Sequence, residues 1–324
     1  MPYLLLILGL ATLVVTGDLL VRGAVGLSNR MGIPPLVIGL TVVAFGTSAP
    51  ELVVSLSAAA EGAPGLSIGN VVGSNITNIL FVLGVPALVC AINCSQTGLR
   101  RSTTFMVAVS VLLIVLSFDG TISFVDGLIL ILLLAGYLVY NGIEATKARR
   151  KGQAIEDIVE EIDDAPSDTK KIVTYLIIGI IGLPLGGKLT TDSALDIASM
   201  MGVAESAVGL SIVALGTSLP EFAAGMAAAL RRQSAVAIGN AVGSNIFNIL
   251  SIIGITSLII PLQVDENFLR FDYWVMLLVS AALLPIVYMH RSIGRFEGII
   301  MALLYIGYLF LVFDIGHDMF EGGF

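Results

Sequence analysis

Two stretches of this chain, 170 residues apart, carry the same carboxylate inside a long apolar run. Gly46-Thr47-Ser48-Ala49-Pro50-Glu51 is matched by Gly216-Thr217-Ser218-Leu219-Pro220-Glu221. The same offset aligns Gly69-Asn70 with Gly239-Asn240 and Gly73-Ser74-Asn75-Ile76 with Gly243-Ser244-Asn245-Ile246. It also aligns Asn78 with Asn248. Without gaps, 21 of the 45 positions in 41–85 are identical to those in 211–255. A carboxylate surrounded by hydrocarbon is costly, and its default role is an ion or substrate site. A duplicated one points to a site built between two structural repeats.

The surroundings of the motif set the fold class. Of the 324 residues 56% are hydrophobic and 12% are charged, a surface that water would not solvate. The runs lack the strand-like alternation of a barrel, so the expectation is an all-α integral membrane protein. Spans of about 20 residues are predicted near 3–27, 33–60, 67–93, 103–118, 124–145, 172–198, 203–230, 236–262, 271–289 and 296–314. The first is read as a transmembrane helix and not a signal peptide, because no basic region precedes it and Asp18 and Arg22 interrupt it. The two cysteines, Cys90 and Cys94, are too few for a disulfide framework and read as small packing residues.

The charges orient these ten spans. Alternating sides collect 13 of the 16 basic residues on one face: Arg30, Arg100, Arg101, Lys147, Arg149, Arg150, Lys151, Lys170, Lys171, Arg231, Arg232, Arg291 and Arg295. Glu61, Asp119, Glu205, Asp265, Glu266, Asp318 and Glu321 fall on the other, with Arg270 as the basic exception. The positive-inside rule makes the first face cytoplasmic and places both termini outside, in a cell membrane. Residues 1–145 then form a first five-helix repeat and 171–324 a second. An odd number of spans per repeat inverts one against the other. Between them, 146–170 is a cytoplasmic linker, basic at first and then acidic. It reads as a solvated connection, since its acids lack the spacing of an EF-hand loop.

The motif itself carries ion chemistry. Pro50 has no N–H and crowds the preceding turn, so the Gly46 carbonyl loses its helical partner and that of Thr47 is loosened. Pro220, Gly216 and Thr217 repeat this. Carbonyls freed at membrane depth must line a cavity or meet a cation. Ala44, Thr47 and Glu51 share one helix face, as do Ala214, Thr217 and Glu221; Ser74 and Asn78, and Ser244 and Asn248, share others. These are hard oxygen donors without histidine or cysteine, which argues against zinc and copper. Two bidentate glutamates and two threonine carbonyls give six oxygens, the lower end of calcium coordination. Without calcium the paired carboxylates repel and demand sodium ions or protons instead.

At these residues the chain resembles the calcium/cation antiporter superfamily, in its sodium/calcium exchanger branch of prokaryotic type. The resemblance covers essentially the whole chain. It implies ten helices as two inverted repeats, with broken helices at the site, and alternating access. It implies a calcium site of Glu51, Glu221 and the carbonyls of Thr47 and Thr217. Flanking sodium sites would use Ala44, Thr47 and Ser74 on one side and Ala214, Thr217 and Ser244 on the other, each with the glutamates. Ser48, Ser218, Asn78 and Asn248 would line the centre. Potassium-dependent members, and at least one archaeal sodium/calcium exchanger, carry aspartate at the position of Asn248; animal potassium-independent members carry asparagine, which speaks against potassium transport here.

The leading expectation is therefore a Ca2+/Na+ antiporter, functional as a monomer in lipid, with no cofactor, enzymatic activity or nucleic-acid partner. A H+/Ca2+ exchanger of the same fold is the alternative, since paired glutamates also take protons. A cation channel fits the inverted, broken helices less well. An intramembrane protease would need a Ser–His or Asp–Asp pair within the spans, and His290 and His317 lie at a helix end and outside.

Overall fold

The computed structural model describes residues 1–151, 165–200 and 214–321. Their helices are α1 (Pro2–Met31), α2 (Pro35–Thr47), α3 (Ala49–Ala60), α4 (Pro64–Val89), α5 (Leu99–Leu116) and α6 (Phe124–Lys151). The second half supplies α7 (Thr169–Met200), α8 (Ala214–Thr217), α9 (Leu219–Leu230), α10 (Ser234–Ile259), α11 (Phe268–Tyr288) and α12 (Arg295–Glu321). Among the described residues eight helices are long and apolar enough to cross a membrane, and the bent pair α2–α3 makes a ninth span. Residues 203–213 of the predicted seventh span, and 152–164 of the linker, lie outside the described residues.

Burial sorts the helices into layers. In their most apolar windows α4 and α10 are 78% and 83% buried, whereas α6 and α12 are 22% and 17% buried. The first two therefore form the core. The outer helices turn large apolar side chains outward, as Phe296, Leu303, Leu304 and Phe310 do on α12. That exposure is what a lipid-facing surface requires.

The helix ends follow local chemistry. Gly32 (φ 63°) ends α1, and Gly98 (φ 95°) precedes α5, which therefore starts four residues before its predicted span. Beyond α4 and α10 the chain turns extended at Cys90 and Ile260. The predicted spans 67–93 and 236–262 thus end early, in two-residue strands β1 (Ile92–Asn93) and β3 (Leu262–Gln263). The others are β2 (Thr121–Ile122) and β4 (Ser292–Ile293). β1 pairs antiparallel with β4, Ile92 opposite Ile293; β2 pairs with β3, Ile122 opposite Leu262. Each ladder joins the first half of the chain to the second.

The packing obeys the 170-residue offset. A Cβ on Gly84 of α4 would lie 2.8 Å from Met301 Cβ of α12, and one on Gly254 of α10 would lie 3.0 Å from Ile131 Cδ1 of α6. α1 and α7 cross at glycines: a Cβ on Gly9 would lie 2.5 Å from Thr190 Oγ1, and one on Gly179 would lie 2.6 Å from Leu20 Cβ. Backbone approach this close is how helices associate where lipid is as apolar as leucine. Gly179→Leu is expected to destabilise the fold by about 1–3 kcal/mol or more through overpacking. Thermal unfolding of detergent-solubilised protein measures it, and an unchanged midpoint would contradict the crossing described here.

Candidate ion-binding site

The helix breaks place the carboxylates. Between α2 and α3 the axis bends by 43°. Ser48 at that break has φ −81° and ψ 4°, and Ser218 between α8 and α9 has φ −87° and ψ 1°. Pro50 and Pro220 sit in the first turns that follow, where a missing N–H is tolerated. Glu51 and Glu221 lie in the same first turns and are fully buried. Each carboxylate thus sits at the positive end of a half-helix, which offsets part of its desolvation.

A hydrogen bond joins the two motif copies at the carboxylates. Ser48 Oγ, three residues before Glu51, donates to Glu221 Oε1 at 3.2 Å. The remaining carboxylate oxygens, Glu51 Oε1, Glu51 Oε2 and Glu221 Oε2, are buried without a hydrogen-bond partner. So are Asn78 Oδ1, Asn248 Oδ1 and Ser218 Oγ. An unsatisfied buried acceptor costs about 1–3 kcal/mol, more when charged. Five of these six oxygens fall into two sets related by the offset, Glu51 with Glu221 and Asn78 with Asn248. Such a set of acceptors is what a hard cation satisfies.

A lattice of asparagines holds the acceptors in place. Asn78 Nδ2 donates to Asn245 Oδ1 at 3.1 Å, and Asn248 Nδ2 to Asn75 Oδ1 at 3.0 Å. With each amide nitrogen engaged, the oxygens of Asn78 and Asn248 are left unpaired. Asn75 and Asn245 are themselves locked: the Nδ2 of each donates to the backbone carbonyl of the other, at 3.4 and 3.1 Å. Asn70 Nδ2 reaches the carbonyl of Glu51 at 3.2 Å, and Asn240 Nδ2 that of Glu221 at 3.3 Å. Their own oxygens accept from Thr217 at 3.5 Å and Thr47 at 3.2 Å. Every bond in this lattice has a partner at the 170-residue offset.

Most of the predicted site residues are thereby brought together. Glu51, Glu221, Thr47, Thr217, Ser48, Ser218, Asn78 and Asn248 are all buried, as are Ala44, Ser74 and Ser244. Ala214 opens α8. The Thr47 hydroxyl lies 3.4 Å from Ser244 Oγ, so Thr47 touches the serine of the other motif copy. Gly239 and Gly243 permit this approach: added Cβ atoms would lie 3.0 Å from Leu36 O and 2.7 Å from Ala44 Cβ. Asn70, Asn75, Asn240 and Asn245 were missed as site residues. Their signal was present, since all four belong to the duplicated Gly-Asn and Gly-Ser-Asn-Ile motifs. One turn further, at Asn78–Leu83 and Asn248–Ile253, both core helices widen into π-helical turns, a form frequent at functional sites.

Comparison with known proteins decides the family. The sodium/calcium exchanger protein family matches residues 1–142 and 171–313, both halves of the chain. The chain belongs to the sodium/calcium exchanger family. The sodium/calcium exchanger MaX1 of Methanosarcina acetivorans is 32% identical over 351 residues, covering 97% of this chain and 99% of its own. The inner membrane protein YrbG of Escherichia coli is 39% identical over 279 residues, 85% of each chain. A solved structure of the sodium-calcium exchanger NCX_Mj superposes with a TM-score of 0.80 at 31% identity, over 94% of this chain and 96% of that one. The chain is thus a multi-pass membrane transporter, a cation/Ca2+ antiporter of this family.

The lattice makes Asn75 a residue that fixes the orientation of the Asn248 side chain. Asn75→Ala is expected to lose about 1–3 kcal/mol of stability, because the buried Asn248 amide is left without its acceptor. Calcium affinity should fall as well, since Asn248 can then turn its oxygen away. Unfolding and calcium titration of one purified sample measure both; unchanged affinity at reduced stability would confine Asn75 to a packing role.

Proposed function

We propose that the chain exchanges Ca2+ for Na+ by alternating access between two inverted five-helix repeats, residues 1–145 and 171–324, joined by a cytoplasmic linker at 146–170. α8 and α9 would be the described part of the tenth span, the counterpart of α2 and α3. The reciprocal asparagine bonds and the two strand ladders support repeats facing each other about an approximate two-fold axis. Positive-inside counting supports a cell-membrane protein with both termini outside.

The reading is carried by the unpartnered carboxylate oxygens of Glu51 and Glu221, one from each repeat. One Ca2+ between them neutralises both charges, and the loosened carbonyls of Thr47 and Thr217 complete a hard-oxygen cage. Sodium ions would compete for the same carboxylates from two flanking positions. One uses Ala44, Thr47 and Ser74; the other uses Ala214, Thr217 and Ser244. Ser48, Ser218, Asn78 and Asn248 line the centre. With only two carboxylates and asparagine at 248, potassium has no added charge to bind. Alternating occupancy of one charge requirement makes the fluxes obligatorily opposed.

Each glutamate supplies half of the negative charge available to a divalent ion. At an effective dielectric near 20, a close charge pair is worth about 4 kcal/mol, roughly a thousandfold in affinity. Glu51→Gln and Glu221→Gln should each abolish calcium exchange in proteoliposomes, while the unmodified protein takes up calcium against a sodium gradient. Near-normal flux in both variants would mean the site lies elsewhere. Uptake driven by a proton gradient alone would assign the countertransported ion to H+.

A further inference from the structure

The 170-residue offset extends to the crossing helices, and there the charges are exchanged. Asp18 and Arg22 on α1 correspond to Lys188 and Asp192 on α7. Arg231, just past α9, corresponds to Glu61, just past α3. The register is structural as well as sequential, because Gly9 on Thr190 is the offset image of Gly179 on Leu20. The turns after α3 and α9 also match bond for bond. Glu61 N donates to Ser57 O at 2.9 Å and Arg231 N to Ala227 O at 3.1 Å. Ala63 N donates to Ala58 O at 2.9 Å and Gln233 N to Ala228 O at 2.8 Å.

The two charge sets are in different states. Arg231 Nε is hydrogen-bonded to Asp18 Oδ1, with the two side chains 24% and 34% exposed. Arg22 lies 3.9 Å from the same carboxylate. In the other set Lys188 is turned along its own helix to Asp192 at 3.0 Å, 75% exposed. Glu61 makes no ion pair with any described residue. The packing shares this asymmetry. A Cβ on Gly17 of α1 would lie 3.0 Å from Ala223 O of α9. Its counterpart Gly187 of α7 does not meet Val53 of α3, the counterpart of Ala223. It meets Pro220 of α9 at 3.3 Å, and Val53 is 65% exposed. Both crossing helices lean on α9.

We propose that Asp18–Arg231 and Lys188–Glu61 are two alternate latches of one rocking motion, which rests on the alternating-access reading above. With the first closed, α1 and α7 lie against α9. In the opposite state Lys188 leaves Asp192 for Glu61, Asp18 releases Arg231, and the pair lies against α3. The glycine crossing holds α1 and α7 together, so both latches cannot close at once; packed elements of this kind are bistable, not continuously deformable. The inverted signs follow from the inverted repeat. Arg231 belongs to the basic face and Glu61 to the acidic one, so each latch keeps its attraction only if its partner also changes sign. None of these side chains is among the ion ligands. They set the balance of states, and a half-buried pair is expected to bias that balance about fivefold.

The test uses the full chain with Cys90→Ala and Cys94→Ala, reconstituted in liposomes. One variant carries Asp18→Cys with Arg231→Cys, the other Glu61→Cys with Lys188→Cys. Under an oxidant the first pair should cross-link at rest. The second should cross-link more slowly at rest, because the opposite state is the minor one, and faster during exchange. Each disulfide should abolish calcium flux, and a reductant should restore it. Calcium binding in detergent, retained by both variants, shows that they fold. In a separate set, Asp18→Arg and Arg231→Asp should each slow exchange, and the two together should recover it. The proposal is overturned if the second pair does not cross-link, if a third variant carrying all four cysteines forms both disulfides in one molecule, or if flux survives either cross-link. The cross-links are read on gels whatever the flux, so a chain that moves no calcium under any gradient removes the antiport reading while the gels still decide the latches.

Discussion

Two buried carboxylates, one from each motif copy, are the constraint to which the rest of this structure answers. Glu51 and Glu221 are fully buried, Ser48 of the first copy donates to Glu221 of the second, and three of their four oxygens have no donor. Left so, the pair would be a strongly unfavourable element of the fold. It becomes tolerable when a cation or protons neutralise the two groups, and in the proposed antiport that same neutralisation is the condition for transport. Each half of the chain supplies one carboxylate, so an ion bound as proposed would join the halves through shared charge.

The surrounding geometry serves that pair. Prolines at 50 and 220 break two helices so that each glutamate falls in a helix's first turn. The breaks loosen carbonyls that an unbroken helix would consume. Asparagines at 75 and 245 engage the amide nitrogens of Asn248 and Asn78, leaving oxygen as the unpaired atom. Asn70 and Asn240 hold the carbonyls of the two glutamates and accept from the opposite threonines. The amide nitrogens of the lattice are all bonded; the oxygens of Asn78 and Asn248 and three carboxylate oxygens are not. Six unpaired oxygens drawn from the two motif copies mark the candidate site more sharply than the carboxylates alone.

Much of this was legible in the chain. The apolar runs located the helices because nothing else can place twenty such residues in lipid. The duplicated Gly-Thr-Ser-X-Pro-Glu located the breaks and the carboxylates because proline and glutamate are costly at that depth. The asparagine lattice was harder to read. Asn75 and Asn245 look like the other polar residues of their motif, and only the fold shows that each reaches the opposite copy. The ladders β1–β4 and β2–β3 left no local signature, since two residues carry no alternation to detect. The packing asymmetry about α9 is invisible in a sequence for a deeper reason: two matching motif copies do not say on which of them the crossing helices rest.

Anomalous diffraction from crystals grown with calcium tests the central claim most directly. One calcium peak per chain is expected within about 2.3–2.6 Å of carboxylate oxygens from both Glu51 and Glu221, and it should vanish when sodium replaces calcium. A calcium ion bound elsewhere, or one held by a single carboxylate with the other glutamate turned away, would contradict the account.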